Sequence, residues 1–181
     1  MNTNFFTGAG DGGKVIFGGE KKSKADPVFN VLGLCDEVNV LTGYAALIAN
    51  EEIKQYVLRI QELLFIVQAE IASIIFGGGT IKIKIKNEHI KELEEMIVWC
   101  DKEIPPIKNF IIPGGSEGSI RMEIARVRTR EFERALIGIE NNFILSNELK
   151  TFANRLSSVF FAFARYENKK KGIEESIPKY K

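Results

Sequence analysis

At 181 residues and a formal net charge of +1, with 45% hydrophobic and 27% charged residues, the chain has the balance of one globular domain with a sizeable core. No global basic field points to nucleic acid or to an anionic membrane, so neither is expected as a partner. One histidine and two cysteines, Cys35 and Cys100, without metal-ligand spacing argue against structural zinc and predict two buried free thiols. The opening MNTNFFTGAGDGG lacks a signal peptide's apolar core, and Gln68, Glu70 and Ser73 break the apolar run from Leu63 to Phe76. A cytoplasmic protein is expected.

Residues 1–25, rich in Gly and Lys, read as a loop that a ligand or partner surface orders. Asp26 and Pro27 then supply an N-cap and a first-turn proline for a helix carrying Val31, Leu34, Val38, Leu41, Ala45 and Ile48 on one face. Asn50 caps a second helix, with Ile53, Val57, Ile60, Leu64, Val67, Ile71 and Ile74 inward, which Gly77-Gly78-Gly79 ends. The alternation from Thr80 to Lys86 has a strand period, so a short hairpin arm or an exposed loop is expected there. A third helix runs from about Asn87 to Lys102, with Ile90, Leu93, Ile97 and Cys100 inward and His89 on the surface near its start, and Pro105-Pro106 stops it. A fourth follows Ser116. A fifth, capped by Ser146, buries Leu149, Phe152, Leu156, Val159, Phe160 and Phe163 and ends near Lys171-Gly172. Five helices with short links predict an all-α, up-and-down, ferritin-like bundle in a single domain over 1–181.

The stretch FIIPGGSEGSIRMEIARVRTREFER, from Phe110 to Arg134, carries the densest signal. An apolar knot enters a Pro-Gly-Gly turn, Ser116 caps the helix, and Glu117 suits its positive end. Glu123, Arg126, Arg130, Glu133 and Arg134 then recur at steps of three and four on one face. Spacing alone leaves two readings open: a solvated stripe of intrahelical ion pairs, or a polyanion site built from arginine forks. GAGDGGK, from Gly8 to Lys14, matches the opening of a P-loop but lacks the metal-binding Ser or Thr at Val15, a preceding buried strand and a following helix. A P-loop fold is therefore rejected, although a Gly-rich loop with a lysine can still wrap a triphosphate through backbone N–H groups. Asp36, Asn39 and Gly43 fall on a stripe opposite the apolar face of the first helix, and Asn154-Arg155 interrupts the aromatic pattern of the fifth.

Taken in order, Thr7 to Gly13, Lys24-Ala25-Asp26-Pro27, Gly33 with Asp36-Glu37-Val38-Asn39, Gln61 with Leu64-Phe65, Phe110 to Ser116, Ala125-Arg126, Arg130 with Glu133-Arg134, Asn154-Arg155-Leu156-Ser157 and Ala164-Arg165-Tyr166 resemble the motifs of the PduO-type ATP:cob(I)alamin adenosyltransferases. The resemblance covers nearly the whole chain. It implies a cobalamin adenosyltransferase-like five-helix bundle (26–172) with a nucleotide-binding loop (1–25) and a tail (173–181), assembled as a homotrimer with interfacial active sites. The implied activity is transfer of the 5′-deoxyadenosyl group of ATP to the cobalt of cob(I)alamin or another reduced corrinoid, with magnesium assisting and triphosphate leaving. Thr7, Gly8, Gly10, Asp11, Gly13, Lys14 and Lys24 would fold over ATP, and Arg130, Glu133, Arg134 and Asn154 would complete the nucleotide site, Glu133 as the magnesium ligand. Phe110 would supply the apolar wall that displaces the lower axial ligand of cob(II)alamin, and an Asp36–Arg126 ion pair would hold that face closed. Asp36, Phe110, Arg126 and Arg130 are thus the implied catalytic set. A corrinoid reductase and an adenosylcobalamin-dependent enzyme are implied partners.

Val15, Val28, Glu123 and Ser158 depart from the pattern, standing where threonine, arginine, histidine and aspartate are usual. A non-catalytic ATP- or corrinoid-binding carrier or sensor with the same bundle is the alternative.

Overall fold

The computed structural model describes residues 5–17, 19–77 and 82–180. Five helices carry the chain: α1 (Pro27–Ala46), α2 (Glu51–Phe76), α3 (Asn87–Glu103), α4 (Glu117–Gly138) and α5 (Asn147–Lys170). Local chemistry sets most of their ends. Asp26, Asn50, Ser116 and Ser146 each accept a first-turn amide on the side chain, and Gly77 closes α2 in the left-handed region at φ 64°.

Cross-helix pairs give the direction of each element. Asn39 meets Gln61, Arg59 meets Glu92, Glu37 meets Arg128, and Asn154 meets Glu133. Together with the aromatic contact of Trp99 on Tyr166, these place α1, α3 and α5 pointing one way and α2 and α4 the other. That is the expected up-and-down bundle. Phe132, Phe152, Phe160 and Phe163 are fully buried in its core. Burial of each contributes about 1.5–3 kcal/mol, so the phenylalanine pattern of α5 is explained by packing without a ligand.

Three expectations need correction, and a fourth is narrowed. Residues of the N-terminal segment form an antiparallel hairpin, β1 (Lys14–Phe17) with β2 (Glu20–Ser23), where a loop was expected. The lysines and glycines that suggested a loop hide the short alternation of Val15 and Ile16. Over 82–86 there is no strand or hairpin arm, and Lys82, Ile83 and Lys84 form the exposed loop that was the other alternative; Thr80 and Ile81, like Gly78 and Gly79, lie outside the described residues. Ile85 instead plugs into the core, and its N–H donates to the buried Glu70 carboxylate at 2.6 Å. His89 is buried, because its Nδ1 accepts the Lys86 N–H and caps α3. Asn39 is buried too, its amide oxygen and backbone carbonyl holding Gln61.

Cys35 and Cys100 are buried free thiols, as expected. Burial, with Asp36 adding repulsion, pushes the Cys35 thiol far up, and burial with nearby Asp101 and Glu103 pushes Cys100 up to about 12. Among the described residues no helix is long and apolar enough to cross a membrane.

Candidate active site

The α3–α4 loop, α4 and α5 together enclose an open cavity of about 460 Å³, lined by Phe110, Ile111, Pro113, Glu123, Arg126, Arg130, Ser157, Ser158 and Phe161. It is the place where the apolar knot and the charged stripe of the sequence meet. Phe110 is 81% exposed, unusual for a phenylalanine in a rigid loop and costly unless something apolar covers it. The loop that presents it is strongly fixed. Gly114 and Gly115 take φ of 149° and 101°, and a Cβ on Gly115 would collide with the Asn168 amide. That amide accepts the Ser116 N–H and donates to the Gly114 carbonyl, both at 2.9 Å.

Charge on α4 divides into two kinds. Arg128 is paired with Glu37 at 2.8 Å and with Glu131, Arg121 is paired with Glu117, and Arg126 Nε lies 2.6 Å from the buried Glu123 carboxylate. Arg130 and Arg134 are exposed and have no ion-pair or hydrogen-bond partner among the described residues. Within the stripe the ion-pair reading therefore describes Glu123 and Arg126, with Arg121 and Arg128 paired beside it, whereas Arg130 opens onto the cavity with its fork uncommitted. One turn on, Glu133 Oε1 accepts from Asn154 Nδ2 at 2.8 Å, joining α4 to α5.

The glycine loop is built from successive tight turns. Asp11 N–H donates to Gly8 O, Gly13 N–H to Gly10 O, and Lys24 N–H to Gly13 O, with Gly8 and Gly13 in the left-handed region. The Thr7 hydroxyl accepts the Ala9 N–H, and the Lys24 ammonium packs against Gly10. Lys14 opens the hairpin and is exposed. Among the described residues no hydrogen bond or ion pair joins Thr7, Gly8, Gly10, Asp11, Gly13, Lys14 or Lys24 to Arg130, Glu133, Arg134 or Asn154. One chain thus presents two halves of the expected site without closing them together.

Nor does one chain form the expected Asp36–Arg126 pair. Asp36 accepts weakly from Gln68 at 3.4 Å, while Arg126 is held by Glu123. Glu123, three residues before Arg126 on the same helix, is the nearer carboxylate, and helical spacing favours it.

Comparison with known proteins gives the family. Residues 5–167 match the model of the cobalamin adenosyltransferase family. The chain belongs to that family. It is 34% identical to a corrinoid adenosyltransferase of Citrobacter freundii over 96% of both chains. It is 33% identical to the corrinoid adenosyltransferase PduO of the same organism over 90% of its length, but spans only about half (49%) of that larger protein. Among solved structures, a variant PduO-type ATP:corrinoid adenosyltransferase from Lactobacillus reuteri complexed with cobalamin and ATP superposes with a TM-score of 0.89 at 28% identity, covering 97% of this chain and 99% of that one.

Two residues of this chain's site region escaped the sequence patterns. Asn168, at the end of α5, clamps the Pro-Gly-Gly turn from 52 positions away. Its neighbour Glu167 is buried against Gly118 and accepts the Asn50 N–H at 2.6 Å. Burial pushes the Glu167 carboxyl above the usual range, against the opposing pull of that hydrogen bond and of Lys171. No spacing rule reports such contacts.

Proposed function

We propose that this protein transfers the 5′-deoxyadenosyl group of ATP to the cobalt of a reduced corrinoid such as cob(I)alamin, releasing triphosphate. The observation that carries the reading is the uncommitted Arg130 guanidinium and the exposed Phe110 ring on one cavity. A leaving triphosphate needs fixed cationic donors, and a corrinoid face needs an apolar wall. In the reaction the cobalt(I) electron pair forms the Co–C5′ bond while the C5′–O bond breaks, and its electrons leave with triphosphate. The substrate is its own nucleophile, so the chain needs to position and stabilise, consistent with its two high-pKa thiols and a histidine engaged in capping.

Arg130 binds triphosphate oxygens and Arg134 extends that cationic surface. Thr7, Gly8, Gly10, Asp11, Gly13 and Lys14, with Lys24, wrap the nucleotide. Asn154 holds Glu133 in place. No cluster of three or more metal-ligating side chains occurs among the described residues, which suits magnesium bound by Glu133, phosphate oxygens and water better than an all-protein cage. Among the described residues Glu133 Oε2 makes no hydrogen bond that competes for it.

The two half-sites fit closure between subunits of a homotrimer. Val40 on α1, Leu47 just after it, and Ile120, Ile124 and Val127 on α4 are 39–73% exposed along the α1–α4 seam, an apolar strip suited to self-association. Asp36 would then reach Arg126 across the interface. We assign the chain one domain (loop 1–25, bundle 26–172, tail 173–181) and a cytoplasmic setting, with a corrinoid reductase upstream and an adenosylcobalamin-dependent enzyme downstream.

Incubation with ATP, magnesium and cob(I)alamin, followed by product analysis, tests the reading. Adenosylcobalamin and triphosphate in equal amounts are expected. ATP binding without either product would support the carrier alternative instead.

A further inference from the structure

The tail after α5 is tied to the Phe110 loop through one buried side chain. Arg165, on α5, is only 6% exposed. Its Nε donates to both Glu175 oxygens at 2.9 and 3.1 Å, and its Nη2 to Glu175 Oε2 at 2.9 Å and to the Pro105 carbonyl at 2.8 Å. The guanidinium therefore joins the start of the loop to the tail. The next tail residue completes the circuit: the Ser176 carbonyl accepts the Ile112 N–H at 2.8 Å. Phe110 lies between the Pro105 and Ile112 anchors, and Ile177, Pro178 and Tyr180 line a second cavity with it. With its ring mostly exposed, Phe110 is placed by its backbone and not by packing of its side chain.

From this circuit we infer that Arg165 and Glu175 are positioning residues for adenosyl transfer, holding the Phe110 loop at the corrinoid through the tail. The inference rests on the reading that Phe110 faces the corrinoid. A buried fork bonded to one carboxylate and one carbonyl permits a single tail position, and the Ser176–Ile112 bond passes that position to the loop. Loss of the Glu175 charge leaves the buried guanidinium one neutral amide oxygen in place of a two-oxygen carboxylate, which loosens the tail and its hold on Ile112.

Glu175→Gln, which keeps the side chain's shape, is the test. Backbone hydrogen exchange at Ile112, measured without substrates, should rise at least about tenfold. With cob(II)alamin and ATP, the spectroscopic fraction lacking the lower axial ligand should fall, and KM for the corrinoid should rise about tenfold or more while KM for ATP stays within about twofold. Glu175→Asp, which keeps the charge, should recover part of each loss. Unchanged exchange at Ile112 would overturn the latch. Raised exchange with unchanged corrinoid parameters, or equal losses for ATP and corrinoid alongside a lower Tm, would overturn the positioning role. An inactive wild-type protein would instead refute the adenosyltransferase reading, and the positioning role with it, while the exchange result would still report on the latch.

Discussion

Asn168→Ala gives the most direct test of how the Pro-Gly-Gly turn is held. The amide makes two hydrogen bonds of 2.9 Å, accepting the Ser116 N–H and donating to the Gly114 carbonyl. Ser116 is buried, so its orphaned N–H would not recover a full bond to water, a cost of about 1–3 kcal/mol. The Gly114 carbonyl is half-buried and keeps the Ser119 hydroxyl as a donor, so its lost bond costs about 0.5–1.5 kcal/mol. The sum is about 1.5–4.5 kcal/mol, large beside the 5–15 kcal/mol that is roughly typical of a whole domain. Urea unfolding at one fixed protein concentration measures it, since self-association would otherwise shift the midpoint. Asn168→Asp keeps an acceptor for the Ser116 N–H at the favourable end of α4 but sets a buried carboxylate oxygen against the Gly114 carbonyl, so it should be destabilised as well. An alanine variant within about 0.5 kcal/mol of wild type would refute the clamp.

Three further outcomes follow from the same contacts. Because burial raises the Glu167 carboxyl, the folded state binds its proton more tightly than the unfolded chain, so stability falls as pH rises from the ordinary carboxylate range through the raised folded value. Glu167→Gln should flatten that part of the curve in paired pH–urea titrations, and an unaltered slope would count against it. Neither Cys35 nor Cys100 should react with iodoacetamide in the native protein at pH 8 (roughly the range where exposed thiols react), whereas both should react in urea; rapid native labelling would contradict their burial. Ile124→Asp, placed on the exposed seam, should reduce the native mass seen by light scattering toward one chain without unfolding the bundle. An unchanged assembly would remove that seam from the interface.

Where chemistry is local, the sequence could be read. The caps at Asp26, Asn50, Ser116 and Ser146 are side chains bonding amides two or three residues away, and each helix begins where they predict. The turn after Phe110 was legible because Pro113-Gly114-Gly115 and the Ser116 cap are local signals, whereas the role proposed for Phe110 itself rests on the family resemblance. His89 and Asn39 were misplaced because each is buried by a contact that compensates its polarity, which composition does not reveal. Asn168 and Glu175 escaped notice for a related reason. Their partners, Ser116 and Arg165, become neighbours only after α5 packs on α4 and the chain reverses at Gly172. The expected Asp36–Arg126 pair is not met within the chain, because Glu123 lies one turn before Arg126 on the same helix while Asp36 faces Gln68.

Adenosyl transfer at the proposed cavity between Phe110 and Arg130 can be followed by stopped-flow decay of the cob(I)alamin absorbance with ATP and magnesium, compared for wild type, Arg130→Ala and Phe110→Ala. ATP-dependent decay is expected in wild type, slowed about 10²- to 10³-fold in Arg130→Ala through lost stabilisation of the leaving triphosphate. Phe110→Ala should transfer from preformed cob(I)alamin better than it does from cob(II)alamin with a weak reductant. Wild-type rates in Arg130→Ala, with both variants folded, would contradict the account.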